Sequence, residues 1–108
     1  MNSVISKDGT EIVYDKSGSG EVLILVAGAL GYRSFPLQQH LAELLSAHFT
    51  VVNYDRRGRG DSGDTQPYAV DREIEDIEAL IDAEGGSAYV YGVSSGAILA
   101  LEAAERLS

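Results

Sequence analysis

Gly92-Val93-Ser94-Ser95-Gly96 is the stretch that decides the fold, because both of its flanks give the G-x-S-x-G spacing a meaning. Before it, the apolar run 88–91 predicts a buried strand, and after it, the strong helix formers of 97–104 predict a helix. At so sharp a turn, side chains two positions from the serine would collide, which accounts for Gly92 and Gly96. The pattern predicts that the Ser94 hydroxyl stands above the sheet edge at a helix N-terminus, where negative charge is favoured. The alternative is an ordinary glycine-rich turn with a buried serine.

The composition narrows the classes of protein. The chain has 108 residues, enough for one domain with a modest core. It has no cysteine, which excludes disulfides and zinc–thiolate sites, and its two histidines, His40 and His48, do not make a metal cluster. The net charge of −9 argues against partners such as nucleic acid or an anionic membrane surface. No stretch resembles a signal peptide or is long enough to span a bilayer, so we expect a cytoplasmic location.

The remaining chain alternates strand and helix signals. Two alternating runs around Asp8-Gly9 predict a hairpin with a type I′ turn. The run 22–26 is apolar without alternation, which predicts a strand covered on both faces, and 49–54 predicts the next strand. The order predicts an α/β fold, with an N-terminal hairpin followed by parallel strands with flanking helices.

Two helices are predicted between these strands. Pro36 suits the first turn of one helix, whose buried face is expected to carry Leu37, Leu41, Leu44 and Leu45. The other begins near Val70 and stops at Gly85-Gly86. The acidic charge between residues 71 and 84 is interpreted as a solvated helix face. Ligands of such sheets bind at the carboxyl ends of the strands, where the loops 27–31, 55–63 and 92–96 are expected to meet.

Three motifs in these loops together resemble the N-terminal half of an α/β-hydrolase. Ala27-Gly28-Ala29 stands where that family usually has His-Gly-x, and 54–62, Tyr-Asp-Arg-Arg-Gly-Arg-Gly-Asp-Ser, is similar to its D-x-R-G-x-G-x-S loop. The pentapeptide at 92–96 is similar to its nucleophile elbow. The resemblance covers all of residues 1–108, and we interpret the chain as the N-terminal half of one hydrolase domain.

The resemblance implies roles for individual residues. Ser94 would be the nucleophile that forms an acyl-enzyme, and the backbone N–H groups of Ser95 and Ala29 would form the oxyanion hole. Gly28, Gly92 and Gly96 would shape these loops. Leu30 and Tyr32, with Phe35 and Tyr68, would line the substrate pocket, although ordinary packing explains such side chains as well.

The loop 55–63 would support the site and would not react. Arg57 is expected to pair with Asp55 or with an acid near the elbow, although a solvated charged turn is the simpler alternative. The same loop fits G-x-G-x-x-G at 58–63, but a dinucleotide site needs a helix opening at Gly63, and Pro67 intervenes.

The rest of the catalytic triad is not found in this sequence. The family's order is Ser, then Asp or Glu, then His, and no Asp or His follows Ser94. Glu102 and Glu105 follow it, but they are expected on the helix after the elbow, pointing away from the exposed side of the serine. His40 and His48 are expected on or near a helix that packs beside the sheet, away from the serine. The strand carrying Val90 is also expected to leave one edge uncovered. We therefore expect the triad acid and histidine in the remaining half of the domain, on the same or a second chain, and no activity from the isolated chain.

Three classes of function remain open. The first is a serine hydrolase acting on a small carboxylic ester or related acyl substrate, without a metal or cofactor. The serine does not separate esterase from lactonase, amidase, carbon–carbon hydrolase or cofactor-free peroxidase. The second is a non-catalytic binding module on the same fold, and the third is an interaction fragment that completes another chain through its open sheet edge.

Overall fold

The computed structural model describes residues 2–28, 31–93 and 95–107, which form five strands and three helices. One sheet contains all five strands in the order β1-β2-β4-β3-β5. The elements are β1 (Asn2–Ile5), β2 (Glu11–Ser17), β3 (Val22–Val26), α1 (Pro36–Leu45), β4 (Thr50–Tyr54), α2 (Val70–Ala83), β5 (Tyr89–Gly92) and α3 (Ser95–Leu107).

Strand pairing confirms the predicted α/β class. β1 and β2 form an antiparallel hairpin, and β2 runs antiparallel to β4. β3 lies between β4 and β5 and is parallel to both, as strand–helix–strand connections require. The parallel strands therefore share one carboxyl end, where the three loops are found.

The hairpin turn differs from the type I′ turn that Asp8-Gly9 predicts. The Gly9 N–H donates to the Ser6 carbonyl at 2.9 Å, and the Ser6 N–H donates to the Thr10 carbonyl at 2.8 Å. The loop thus has three residues, and its last residue, Gly9, has a φ of 91°. The longer loop leaves the Asp8 carboxylate free to accept from the Thr10 hydroxyl at 2.7 Å.

Both faces of the sheet are covered, which explains why β3 is apolar without alternation. Ile24 and Val26 face a core built with α2 and α3, whereas Leu23 and Leu25 face a smaller core with α1. No described helix combines the length and the apolar character needed to cross a bilayer.

Two predicted helix faces are wrong in part. On α1, Leu41 and Leu45 pack against the sheet, but Leu37 and Leu44 are exposed, and Gln38 and Ala42 are buried in their place. The facing residues are spaced i, i+3, i+4 and i+7, as for any helix lying on a sheet. On α2, the acidic face is not wholly solvated, because Glu73 and Asp76 are buried against arginines.

The sheet is not closed at β5. Among the described strands, β5 pairs only with β3, which leaves its other edge uncovered, as the sequence predicts. Tyr89 and Tyr91 on this strand are exposed, as are Ile98 and Leu101 on α3. The end of the molecule formed by β5 and α3 therefore presents an apolar surface and unpaired backbone groups.

Candidate active site

The corner between β5 and α3 admits no side chain at two positions. A Cβ on Gly92 would lie 2.2 Å from the Gly96 carbonyl oxygen, and a Cβ on Gly96 would lie 2.5 Å from the Val26 carbonyl oxygen. The Val93 N–H donates to that same Val26 carbonyl at 3.0 Å, which ties the corner to β3. The collisions predicted from the G-x-S-x-G spacing therefore have a direct basis in the backbone.

Three predicted site residues, Ser94, Ala29 and Leu30, lie outside the described residues. Ser95 opens α3, and its Oγ is buried with no hydrogen-bond partner in the described part of the chain. The Gly28 carbonyl accepts from the Gly31 N–H at 3.1 Å. The structure thus describes the chain up to Gly28, from Gly31 and from Ser95, on either side of these three residues.

Asp55 is the first residue of the loop that follows β4, and its carboxylate forms an ion pair with Arg33. The carboxylate accepts from the Arg33 N–H and from its Nη1, each at 2.6 Å, and from the Asp61 N–H at 2.9 Å. Gly60 lies against the same carboxylate, because a Cβ there would sit 2.3 Å from the Asp55 Cγ. Gly60 also has a φ of 52°, a conformation that favours glycine.

Arg57 does not pair with Asp55, so that part of the prediction is wrong. Its guanidinium donates to Asp76 at 2.7 and 2.8 Å and to Asp8 at 2.8 and 3.2 Å. Arg57 therefore binds α2 and the hairpin turn, whereas Arg33 binds the Asp55 carboxylate. Hydrogen bonding to Asp76 raises the pKa of Arg57, and hydrogen bonding from Arg57 holds the pKa of Asp8 well below its usual range.

The loop 55–63 is joined to β2, which rules out a solvated turn. The Ser62 hydroxyl donates to the Asp55 carbonyl at 2.6 Å and accepts from the Val13 N–H at 2.9 Å. The Gly63 N–H donates to the Glu11 carbonyl at 2.8 Å. No helix opens at Gly63, because α2 begins at Val70, so the dinucleotide interpretation lacks its structural context.

Two arginines of this loop hold the backbone before Ala29, and the sequence analysis missed both. Arg56 donates to the Ala27 carbonyl at 3.0 Å, and Arg59 donates to the Gly28 carbonyl at 2.8 Å. Arg56 also forms a buried bidentate pair with Glu73 at 2.7 Å for each bond. Burial opposes ionisation of Glu73, but hydrogen bonds from Arg56 and Tyr68 lower its pKa. The sequence did carry a signal for these contacts, because the loop contains Arg56 and Arg59 in addition to Arg57.

The histidines and possible metal ligands can be located among the described residues. Within residues 2–28, 31–93 and 95–107, no three His, Asp or Glu side chains are grouped as metal ligands. His40 lies on the exposed side of α1, and His48 lies in the exposed turn after it. Both belong to the layer beside the sheet, as the sequence predicts.

The chain matches a known protein family over most of its length. A family model described as the alpha/beta hydrolase family matches residues 23–108. The chain belongs to the alpha/beta hydrolase family.

Solved structures and curated relatives of this family are similar to the chain. An alpha/beta hydrolase from Sphaerobacter thermophilus is 59% identical with a TM-score of 0.92, and the match covers 97% of this chain and 40% of that one. The esterase RhEst1 from Rhodococcus is 28% identical with a TM-score of 0.84, covering 97% of this chain and 40% of the esterase. The uncharacterized hydrolase YraK of Bacillus subtilis is 34% identical over 94% of this chain and 38% of its own length. The chain thus spans about two fifths of the hydrolases it matches.

The predicted pocket residues of the hydrolase lie in two places. Tyr32 and Phe35 form an edge-to-face pair with ring centroids 5.6 Å apart, and both rings are exposed. Tyr68 instead donates to Glu73 at 2.5 Å and borders a cleft of about 300 Å³ between α2 and α3. Ser95 and Ile98 line the same cleft. Tyr68 therefore has its contacts on α2, whereas Tyr32 and Phe35 contact each other.

Proposed function

We propose that this chain forms the nucleophile-bearing part of a serine hydrolase that cleaves a small carboxylic ester or related acyl compound. One observation carries the proposal: at the β5–α3 corner only glycine fits at positions 92 and 96. A nucleophile elbow needs that close approach, because it holds the central serine at the head of a helix above the sheet. Membership of a hydrolase family supports the same reaction class.

In the proposed reaction, the Ser94 Oγ attacks the acyl carbon while a base takes its proton. The tetrahedral oxyanion accepts hydrogen bonds from the backbone N–H groups of Ser95 and Ala29. Collapse breaks the bond to the alcohol, which leaves with that proton, and an acyl-enzyme remains at Ser94. Water then attacks the acyl-enzyme, releases the carboxylic acid and restores the serine.

The base and its orienting acid would come from the remaining part of the hydrolase domain, which we propose packs on β5 and α3. The uncovered edge of β5 and the exposed Ile98 and Leu101 support this placement. A hydroxyl without a base stays protonated at neutral pH, so we expect no esterase activity from residues 1–108 alone.

A chimera tests the proposal. This chain replaces the matching 40% of the Sphaerobacter hydrolase, to which it is 59% identical. Hydrolysis of p-nitrophenyl esters and labelling by a fluorophosphonate are measured on the chimera, the parent hydrolase and the isolated chain. We expect turnover and labelling in the chimera, and a loss of about 10⁴-fold or more in turnover with Ser94→Ala.

The Ser95→Ala chimera is the matched control, because its backbone N–H is retained and its turnover is expected to stay within a few fold. A folded chimera that is neither labelled nor active, beside an active parent, would refute a nucleophilic Ser94. Ester binding that is unchanged by Ser94→Ala in that inactive chimera would favour the non-catalytic binding module.

A further inference from the structure

Arg59 has an unusual set of contacts for a charged side chain. It is half-buried, and desolvation, with Arg56 nearby, lowers its pKa. None of the ion pairs between described residues includes Arg59, and its side chain donates to a backbone carbonyl, that of Gly28, at 2.8 Å. A guanidinium held this way gives up hydration without a direct ion pair, and the Glu73 carboxylate attracts it only from a distance.

The backbone of Arg59 is built to hold this position. Gly58 and Gly60 flank it with φ values of 78° and 52°, so the chain turns tightly on both sides. The Arg59 N–H donates to the Arg56 carbonyl at 3.0 Å, and the Ser62 N–H donates to the Arg59 carbonyl at 3.1 Å. The turn thus fixes the base of the side chain beside the segment that it contacts.

Arg56 supplies a second contact one residue earlier. It donates to the Ala27 carbonyl, and its other nitrogens are held by Glu73 on α2. The carbonyls of two consecutive residues, Ala27 and Gly28, therefore both accept hydrogen bonds from charged side chains of the loop 55–63. Hydrogen bonds from charged donors are stronger than those between neutral groups.

A hydrogen bond to the Gly28 carbonyl also affects the next residue, because the peptide group that joins them is planar. A trans peptide is planar, and its C=O and the following N–H point in opposite directions. Fixing the Gly28 carbonyl therefore restricts the direction of the N–H that follows it. A cationic donor on the carbonyl also polarises the peptide group and makes that N–H a stronger donor.

We propose that Arg59 is a positioning residue for the oxyanion hole: by binding the Gly28 carbonyl, it aims and polarises the amide of residue 29. The inference rests on the proposed function, in which that amide stabilises the tetrahedral oxyanion. Arg56 binds the neighbouring Ala27 carbonyl, but removing it would leave Glu73 buried without its ion pair. Arg59 is therefore the residue to test.

The experiment compares Arg59→Met, which keeps the side-chain stem but removes the donors, with Arg59→Lys, which keeps one charged donor. Arg72→Met is the matched control, since Arg72 pairs with Glu75 on α2. In the 108-residue chain, hydrogen exchange of the Gly31 amide is followed by NMR, because its acceptor is the Gly28 carbonyl. Values of kcat and KM for p-nitrophenyl esters are measured in the chimera.

We expect Arg59→Met to accelerate Gly31 exchange about tenfold, with Arg59→Lys closer to the unmutated chain and Arg72→Met unchanged. In the chimera, kcat should fall about 10- to 100-fold for Arg59→Met with KM within threefold, because the donor acts mainly on the transition state. Arg59→Lys should restore part of the kcat.

Unchanged Gly31 exchange in Arg59→Met would overturn the inference, whatever the chimera does. Faster exchange with an unchanged kcat would overturn it as well, because Arg59 would then stabilise the loop without aiding the reaction. If the chimera without arginine substitutions has no Ser94-dependent turnover, the proposed function fails, and exchange alone then decides whether Arg59 holds the Gly28 carbonyl.

Discussion

The loop 55–63 and the β5–α3 end differ in how completely they are satisfied within this chain. In the loop, the buried Arg57 pairs with carboxylates on α2 and at the hairpin turn, and the Ser62 hydroxyl accepts from β2 and donates within the loop. At the β5–α3 end, tyrosines and aliphatic side chains face outward beside an unpaired strand edge. The loop therefore contributes to the stability of this chain. We propose that the exposed side of the β5–α3 end contacts the remaining part of the domain.

The largest expected loss of stability comes from breaking the most buried ion pair of the loop. The side chains of Arg57 and Asp76 are 0% and 1% exposed. Arg57→Met leaves the Asp76 carboxylate buried without its cation, so the free energy of unfolding should fall by about 3–5 kcal/mol in urea titrations. The control is Arg106→Met, whose side chain is 47% exposed and whose loss should cost under about 1 kcal/mol. Equal losses for the two variants would remove the contrast between the regions.

Local sterics explain how much of the molecule the sequence could predict. The two elbow glycines, the stop of α2 at Gly85-Gly86 and the buried strand β3 all follow from residues within a few positions of one another. The partners of Arg57 do not, because Asp76 and Asp8 lie 19 and 49 residues away. Which carboxylate meets which arginine depends on how α2 is rotated against the sheet, and spacing in the sequence does not set that angle.

The same limit applies to α1. Four leucines predicted one apolar face, but the sheet selects a stripe that includes Gln38 and Ala42 and leaves Leu37 and Leu44 outside. Helical periodicity predicts how wide the buried stripe of a helix is. It does not predict where around the helix that stripe is centred when apolar residues surround much of the helix.

A smaller effect separates two leucines of α3. Leu99 is 5% exposed and belongs to the core, whereas Leu101 is 72% exposed at the open end. Leu99→Ala should cost about 2–5 kcal/mol of unfolding free energy, and Leu101→Ala should stay within about 0.5 kcal/mol. In the chimera, the cost of Leu101→Ala should rise, because the rest of the domain would then cover it. An unchanged cost in the chimera would argue that α3 is not covered there.

The smallest effect is a pH dependence at the hairpin turn. Hydrogen bonding from Arg57 and Thr10 holds the pKa of Asp8 below its ordinary value of 3.8. The folded chain therefore keeps the carboxylate charged where the unfolded chain protonates it, so this stabilisation is present above pH 3.8 and is lost as the pH falls below it. We expect about 1 kcal/mol, because the carboxylate borders solvent.

Unfolding of the unmutated chain and of Asp8→Asn, followed by circular dichroism between pH 2 and 6, measures this term. Asp8→Asn should flatten the acid limb of the stability curve, while Asp82→Asn, at an exposed position on α2, should leave its slope as it is. A slope in Asp8→Asn as steep as that of the unmutated chain would assign the acid sensitivity to other carboxylates.

Gly60 carries a consequence for how this chain tolerates variation. It lies at the surface, where substitutions are usually neutral, yet a methyl group there would meet the Asp55 carboxylate. In a library of all single substitutions, position 60 should therefore be depleted as strongly as a core position, while the exposed Leu37 and Leu44 accept many residues. The exposure of a position would therefore not predict which of these three tolerates substitution.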